Sequence, residues 1–173
     1  KFIRNASLVS GLTTNQDDLK SAIDSISYDN GFTDHSGTDG SVGIQMAIDE
    51  LNHSASSYQY IIFITDGGDT QFTYSYDSLI TEALESGITI YTIGMGNASE
   101  KVLRDLASKT GGKYYHATTN EVSSDEILNL DDVFEEIESE TIDLTTDTNN
   151  DGIPDYFNDL IYTGELTLSN GSK

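Results

Sequence analysis

The chain has no cysteine, which excludes a disulfide scaffold and thiolate metal sites. It is equally poor in positive charge: 8 lysines and arginines stand against 30 aspartates and glutamates, a formal net charge of −22. No basic stripe is available to neutralise phosphates, so nucleic acid is not an expected partner, and neither is an anionic membrane surface. No apolar run approaches the roughly 20 residues that cross a bilayer, so membrane insertion is not expected. The three histidines, His35, His53 and His116, show no zinc spacing. There is no Gly-x-Ser-x-Gly elbow and no phosphate loop. Gly94-Met95-Gly96 follows a strand-like run but lacks the third glycine of a dinucleotide loop, with Ser99 in its place. Acidic pairs are too numerous to point to glycosidase chemistry. Nothing supplies a nucleophile, or a base with an orienting partner, and the chain is not read as an enzyme. The acidic surface suits a calcium-rich medium, or serves solubility alone.

What is present is a regular alternation of strands and helices. Tyr60–Asp69 reads YIIFITDGGD, an apolar, β-branched run that stops at Thr-Asp-Gly-Gly-Asp. Such a run is expected to be a strand buried on both faces of a parallel sheet, with Asp66 at its carboxyl end, where open α/β sheets bind ligands. A carboxylate there needs a partner, and a hard cation is the obvious one. A second buried strand is expected over Ile88–Ile93 and a third over Lys113–Ala117, with Phe2–Val9 a short strand at the start. Helical spacing of apolar residues marks Asp17–Ile26, Ser41–Leu51 and Asp77–Ser86, the last closed by Gly87. Glu100–Lys109 follows a Ser99 N-cap and ends at Gly111, and Asp125–Glu140 is an acidic amphipathic helix. This order predicts an α/β fold: a doubly wound, mainly parallel sheet with right-handed crossovers and helices on both faces. After Glu140 the composition turns to Asp, Asn and Thr around the only proline, Pro154, which places a boundary between a domain of residues 1–140 and an acidic linker of 141–173.

Gly37-Thr38-Asp39-Gly40 opens the Ser41–Leu51 helix, and the following strand ends in Thr65-Asp66-Gly67. This pair, together with the later segment ITIYTIGMGNASEKVLRDLASKTGGKYYHA (Ile88–Ala117), resembles the von Willebrand factor A family over about residues 2–140. The resemblance implies a divalent cation, Mg²⁺ or Ca²⁺, in a metal-ion-dependent adhesion site on top of the sheet. Thr38 would be its loop threonine and Asp66 its strand aspartate, and a protein ligand's carboxylate would complete the shell. Gly37, Asp39, Gly67 and Asp69 would form the surrounding ligand-binding surface. Tyr74 and Tyr76, next to the Asp66 turn and of a type favoured at protein interfaces, would join that surface or else serve core packing or loop anchoring. The family's first strand and its Asp-x-Ser-x-Ser motif are absent. Asp34-His35-Ser36-Gly37-Thr38 imitates that motif, but no apolar strand precedes it, and it is read as loop. In the family the absent strand pairs with the one matching Tyr60–Thr65. Either this chain is a partial one whose missing part lies elsewhere, or it self-associates along that edge.

Asp147-x-Asn149-x-Asp151-Gly152-Ile153-Pro154-Asp155 places oxygen donors at alternating positions and glycine at the sixth, as in the first half of a calcium loop. It resembles thrombospondin type 3 repeats. Asp147, Asn149, Asp151 and Asp155 would give side chains to Ca²⁺, and Ile153 its carbonyl. The twelfth position is Asn158, with Asp159 one residue late; the alternative is a solvated acidic linker. Calcium loops of extracellular modules work at about 10⁻⁴–10⁻³ M, which points to secretion or the cell surface. The expectation is therefore an extracellular, adhesion-type module that binds a protein or matrix ligand. The rival is a structural spacer or assembly element with a vestigial metal site and a calcium-stabilised linker.

Overall fold

The computed structural model describes residues 1–2, 5–26, 38–54, 56, 58–69, 72–117, 130–141, 146, 148 and 150. By internal contact the chain divides into two compact units, Lys1–Leu130 and Asp131–Lys173. The calcium-loop residues Asp147, Asn149, Asp151, Ile153 and Asp155 lie outside the described residues, as does Gly37.

The first unit contains helices α1 (Gln16–Asp24), α2 (Gly40–Leu51), α3 (Tyr76–Glu85) and α4 (Glu100–Lys109), and strands β1 (Gln59–Thr65), β2 (Ile88–Gly94) and β3 (Tyr114–His116). The three strands form one parallel sheet in the order β1-β2-β3. Its register pairs Ile61 with Ile90 and Ile64 with Ile93, so β-branched residues of the two strands stand side by side. Parallel neighbours need a crossover, and α3 and α4 supply one each, as the strand–helix alternation predicts. Gly87 and Gly111, with φ of +70° and +87°, end these helices in the left-handed region that L side chains avoid.

The core lies between the sheet and a helical layer in which α2, α3 and α4 touch in sequence. Ile61, Phe63, Ile88 and Ile90 meet Ile44 and Ile48 of α2, Leu79, Ile80 and Ala83 of α3, and Leu103 and Leu106 of α4. β2 is buried along almost its whole length, with Tyr91 and Ile93 of the second face as enclosed as the first.

β1 differs from the expectation of a strand buried on both faces. Ile61, Phe63 and Thr65 are buried, but Ile62 is 40 % exposed, and Tyr60 and Ile64 are half-buried. Successive residues face opposite sides of the sheet, and the side of Tyr60, Ile62 and Ile64 is turned away from the helical layer that buries Ile61 and Phe63. β1 is also the edge of the described sheet, paired with β2 on one side only. An apolar groove of about 630 Å³ follows this edge, with Met46 and Leu51 of α2 among its walls. The expected strand over Phe2–Val9 is also corrected. Phe2 and Ala6 form an isolated antiparallel bridge, and the Ser7 N–H donates to the Lys1 carbonyl at 2.9 Å. The bridge joins partners only four residues apart and belongs to none of the described sheet strands. Phe2 instead stacks its ring on Phe63 at 5.1 Å.

α1 is capped by Asn15, whose side chain accepts the N–H groups of Asp17 and Asp18. None of its residues is buried, and Ile23 is 66 % exposed although the helical spacing is as expected. Beyond the first unit, α5 (Leu130–Thr141) buries Val133 and Ile137, the one-face burial of an amphipathic helix.

Candidate functional site

In a parallel sheet all carboxyl ends lie at one rim, so the loops after β1 and β2 converge there with the amino end of α2. The Met95 N–H donates to the Thr65 carbonyl at 2.9 Å and ties the two strand ends together. Asp66 follows Thr65. The turn behind it is held by the Thr65 hydroxyl, which donates to the Gly67 carbonyl at 3.1 Å.

Three aspartates reach this rim, and their states differ. Asp39 is the N-cap of α2 and is 1 % exposed. Its Oδ1 accepts the Ser41 N–H at 3.1 Å and also the Ser41 hydroxyl. Its Oδ2 accepts the Thr73 N–H at 2.8 Å and the Thr73 hydroxyl at 2.6 Å. Burial pushes this carboxyl up, but the hydrogen bonds from Ser41 and Thr73 outweigh it and hold the group below its ordinary value. Asp69 accepts the Gly40 N–H at 2.9 Å and the Tyr76 hydroxyl. Burial, with the Asp69 bond and the Asp69 and Asp39 charges added, pushes the Tyr76 phenol far above its usual range. Tyr76 therefore stays a neutral donor. Asp66 alone is exposed, and no other described residue hydrogen-bonds its carboxylate.

The sequence-derived surface thus separates into layers. Asp39, expected on the ligand-facing surface, is buried, and it braces the 73–74 segment against α2 together with the Tyr74 N–H, which donates to Ser41 Oγ at 3.0 Å. Asp69 and Tyr76 fasten the loop after β1 to the start of α2. Tyr74 stands 40 % exposed, and Gly67 has open space around it, with nothing within 4 Å of where a Cβ would stand. Thr38 is half-buried immediately before the Asp39 cap. Thr73 and Ser41 escaped the reading of the sequence. Ser41 carries a cap signal, standing two residues after an aspartate at a helix start. Thr73 carries none, because its partner lies 34 residues away.

The sequence model of the von Willebrand factor type A domain matches residues 3–135. The chain belongs to this family. Domains of the family are generally non-enzymatic modules of protein interaction, and they commonly bind divalent metal ions. A protein of Borreliella burgdorferi described only as uncharacterized is 30 % identical over 129 residues. That match takes in 73 % of this chain and 36 % of the relative, so the chain spans about a third of the relative's length. Among solved structures, an uncharacterized membrane-spanning protein from Vibrio fischeri matches with a TM-score of 0.42 and 19 % identity. That match covers 82 % of this chain and 73 % of the other.

The donors at the rim are of the right kind for a hard cation: one exposed carboxylate, Asp66, and one hydroxyl, Thr38, both oxygen. They are few. Among the described residues no three acidic or histidine side chains group as a metal centre. Any cation here would keep most of its shell for water and for groups brought by a partner.

Proposed function

We propose that this von Willebrand factor type A domain is the ligand-binding module of a larger extracellular or cell-surface protein, and that it grips an acidic residue of a protein or matrix ligand through a divalent cation at Asp66. The observation that carries this reading is the contrast among the three aspartates. Asp39 and Asp69 spend their oxygens inside the fold, whereas Asp66 is exposed and has no hydrogen-bond partner among the described residues. The protein has invested two carboxylates in holding the rim rigid and left a third open to solvent. Mg²⁺ or Ca²⁺ would be held by the Asp66 carboxylate and the Thr38 hydroxyl, and its positive charge would attract a ligand carboxylate that the acidic chain alone would repel.

The test is a ¹H–¹⁵N NMR titration with Mg²⁺ and Ca²⁺, comparing the native chain with Asp66→Asn. Saturable shifts at Gly67 and Gly68 that vanish in the variant are expected. Their absence at millimolar cation would overturn the metal-dependent reading and leave the structural alternative, a spacer with a vestigial site, which the small donor set favours.

A second observation supports self-association. Ile62, in the middle of the edge strand of the described sheet, is exposed beside an apolar groove, and an edge strand is a template for another strand. We infer that a second copy pairs along β1.

A further inference from the structure

We propose that the cavity beside Asp66, between the loop after β1, the start of α3 and the start of α4, is a specificity pocket that takes one branched aliphatic side chain of the protein ligand. The inference rests on the rim of the sheet being the ligand-binding face, and it adds the identity of a second contact.

The cavity measures about 80 Å³. Phe63, Val102 and Leu103 supply apolar wall, and Phe72 and Tyr76 stand on the loop side. A molecule of liquid water takes about 30 Å³, and a dry cavity of about 150 Å³ accepts benzene. A space of this size therefore suits an isopropyl or isobutyl group and is too small for a phenyl or indole ring.

Charge points the same way. The one ionisable carboxylate in the wall is Asp69, and it already accepts the Gly40 N–H and the Tyr76 hydroxyl. Among the residues that line the pocket, a lysine or arginine would find no uncommitted counter-charge, and it would lose hydration. An aliphatic group would lose nothing and would remove apolar wall from water.

Phe72 marks the mouth. It is 60 % exposed, while Phe63 within the wall is 5 % exposed. Its ring meets Tyr76 edge-on at 6.0 Å. In so acidic a chain, an exposed ring fixed next to an apolar hole is a ready-made contact for an apolar side chain.

Position supplies the link to Asp66. Gly67, Gly68 and Asp69 line the pocket and directly follow Asp66 in the chain. A ligand residue seated in the pocket is therefore a near neighbour, in the ligand, of whatever group engages Asp66. The structure selects an acidic residue flanked by valine, leucine or isoleucine.

The experiment uses three probes on the native chain, followed by ¹H–¹⁵N NMR: 3-methyl-1-butanol, n-butylammonium and acetate with Mg²⁺. The alcohol is expected to shift the amides of Gly68, Val102 and Leu103 saturably, and the ammonium ion to shift them far less. Val102→Phe, which fills the pocket, should weaken the alcohol by about tenfold or more, the scale on which apolar pockets discriminate. Phe72→Ala, at an exposed position that folding does not need, should also weaken it. No saturable shift with the alcohol, or stronger shifts with the ammonium ion, overturns the pocket. Acetate with Mg²⁺ reports separately on Asp66. Shifts at Gly67 with acetate but none with the alcohol would sink the pocket and keep the metal reading. The reverse pattern would keep the pocket and sink the metal.

Discussion

The Asp69 carboxylate accepts the backbone N–H of Gly40 at 2.9 Å and so joins the loop after β1 to the first turn of α2. That N–H is one of the donors a helix start leaves unsatisfied, and the anion also meets the positive end of the helix dipole. Gly40 makes the approach possible: a Cβ there would stand 2.7 Å from the Phe63 ring. Asp69→Ala strands the Gly40 N–H and the Tyr76 hydroxyl together. We expect a loss of about 1–3 kcal/mol in urea unfolding, as for a charged hydrogen-bond acceptor removed from a part-buried site. Asp66→Ala, which breaks no bond to a described residue, should stay within about 0.5 kcal/mol of the native chain. Equal losses for the two would contradict the division of labour between them.

The same network makes stability depend on pH at both ends. Asp39 has a lowered folded value, because its bonds from Ser41 and Thr73 outweigh its burial. Its contribution is complete above the unfolded carboxylate value of about 3.9 and is lost as pH falls through the lower folded value. Tyr76 is raised, by burial first and then by Asp69. Its contribution is complete below the unfolded tyrosine value of about 10 and declines as pH rises above it. Thermal midpoints across pH should therefore show an acid limb that Asp39→Asn flattens and an alkaline limb that Tyr76→Phe flattens. An alkaline limb unchanged in Tyr76→Phe would show that another group causes it.

The strands and helices were legible because their signals are local. The β-branched run ending at Thr65, the apolar spacing of Ile44 and Ile48, and the helix-ending Gly87 and Gly111 each lie within one window of sequence. The position of Asp66 at a sheet rim follows from strand order alone. What sequence could not convey depends on neighbours far along the chain. Ile62 is as apolar as Ile61, but neighbours along a strand face opposite sides of the sheet, and among the described residues only the Ile61 side of β1 meets the layer of α2, α3 and α4. Asp39 and Asp66 are both aspartates beside glycines, yet one is enclosed by Thr73 from 34 residues away and the other is open. Phe72 and Val102, far apart in the chain, line one pocket only once the fold is made.

The calcium loop at Asp147–Asp155 stands on its sequence pattern alone. In the Asp66→Asn chain, where only this loop is left to bind, calorimetric titration with Ca²⁺ should release heat and raise the thermal midpoint, and adding Asp151→Ala should abolish both. Neither signal up to millimolar calcium would leave 141–173 as an acidic linker.

The edge of β1, unpaired among the described residues, gives a test of association. Light scattering across concentration should show a dimer whose fraction rises with protein. Ile62→Lys places a charge on the exposed face of the edge strand, the device by which natural sheets prevent edge pairing, and should return the protein to a monomer. Ile62 is 40 % exposed, so the variant should keep its fold, which circular dichroism would check. A native chain that stays monomeric at every concentration would refute pairing through this edge.

Gly112 and Gly67 offer the sharpest contrast in backbone packing. A Cβ on Gly112 would stand 2.2 Å from the Ile90 carbonyl oxygen, where the turn before β3 presses against β2. Backbone on both sides cannot yield as a flexible side chain can. Gly112→Ala should therefore cost about 1–3 kcal/mol or more and lower the thermal midpoint by several degrees. A Cβ on Gly67 would meet nothing within 4 Å, so Gly67→Ala should leave folding almost unchanged. It should still weaken binding at Asp66, because the added methyl narrows the approach to the adjacent carboxylate. Normal stability with reduced cation-dependent shifts at Gly68 is the expected signature. Reduced stability in Gly67→Ala would mean that this glycine serves the fold instead of the open face of the site.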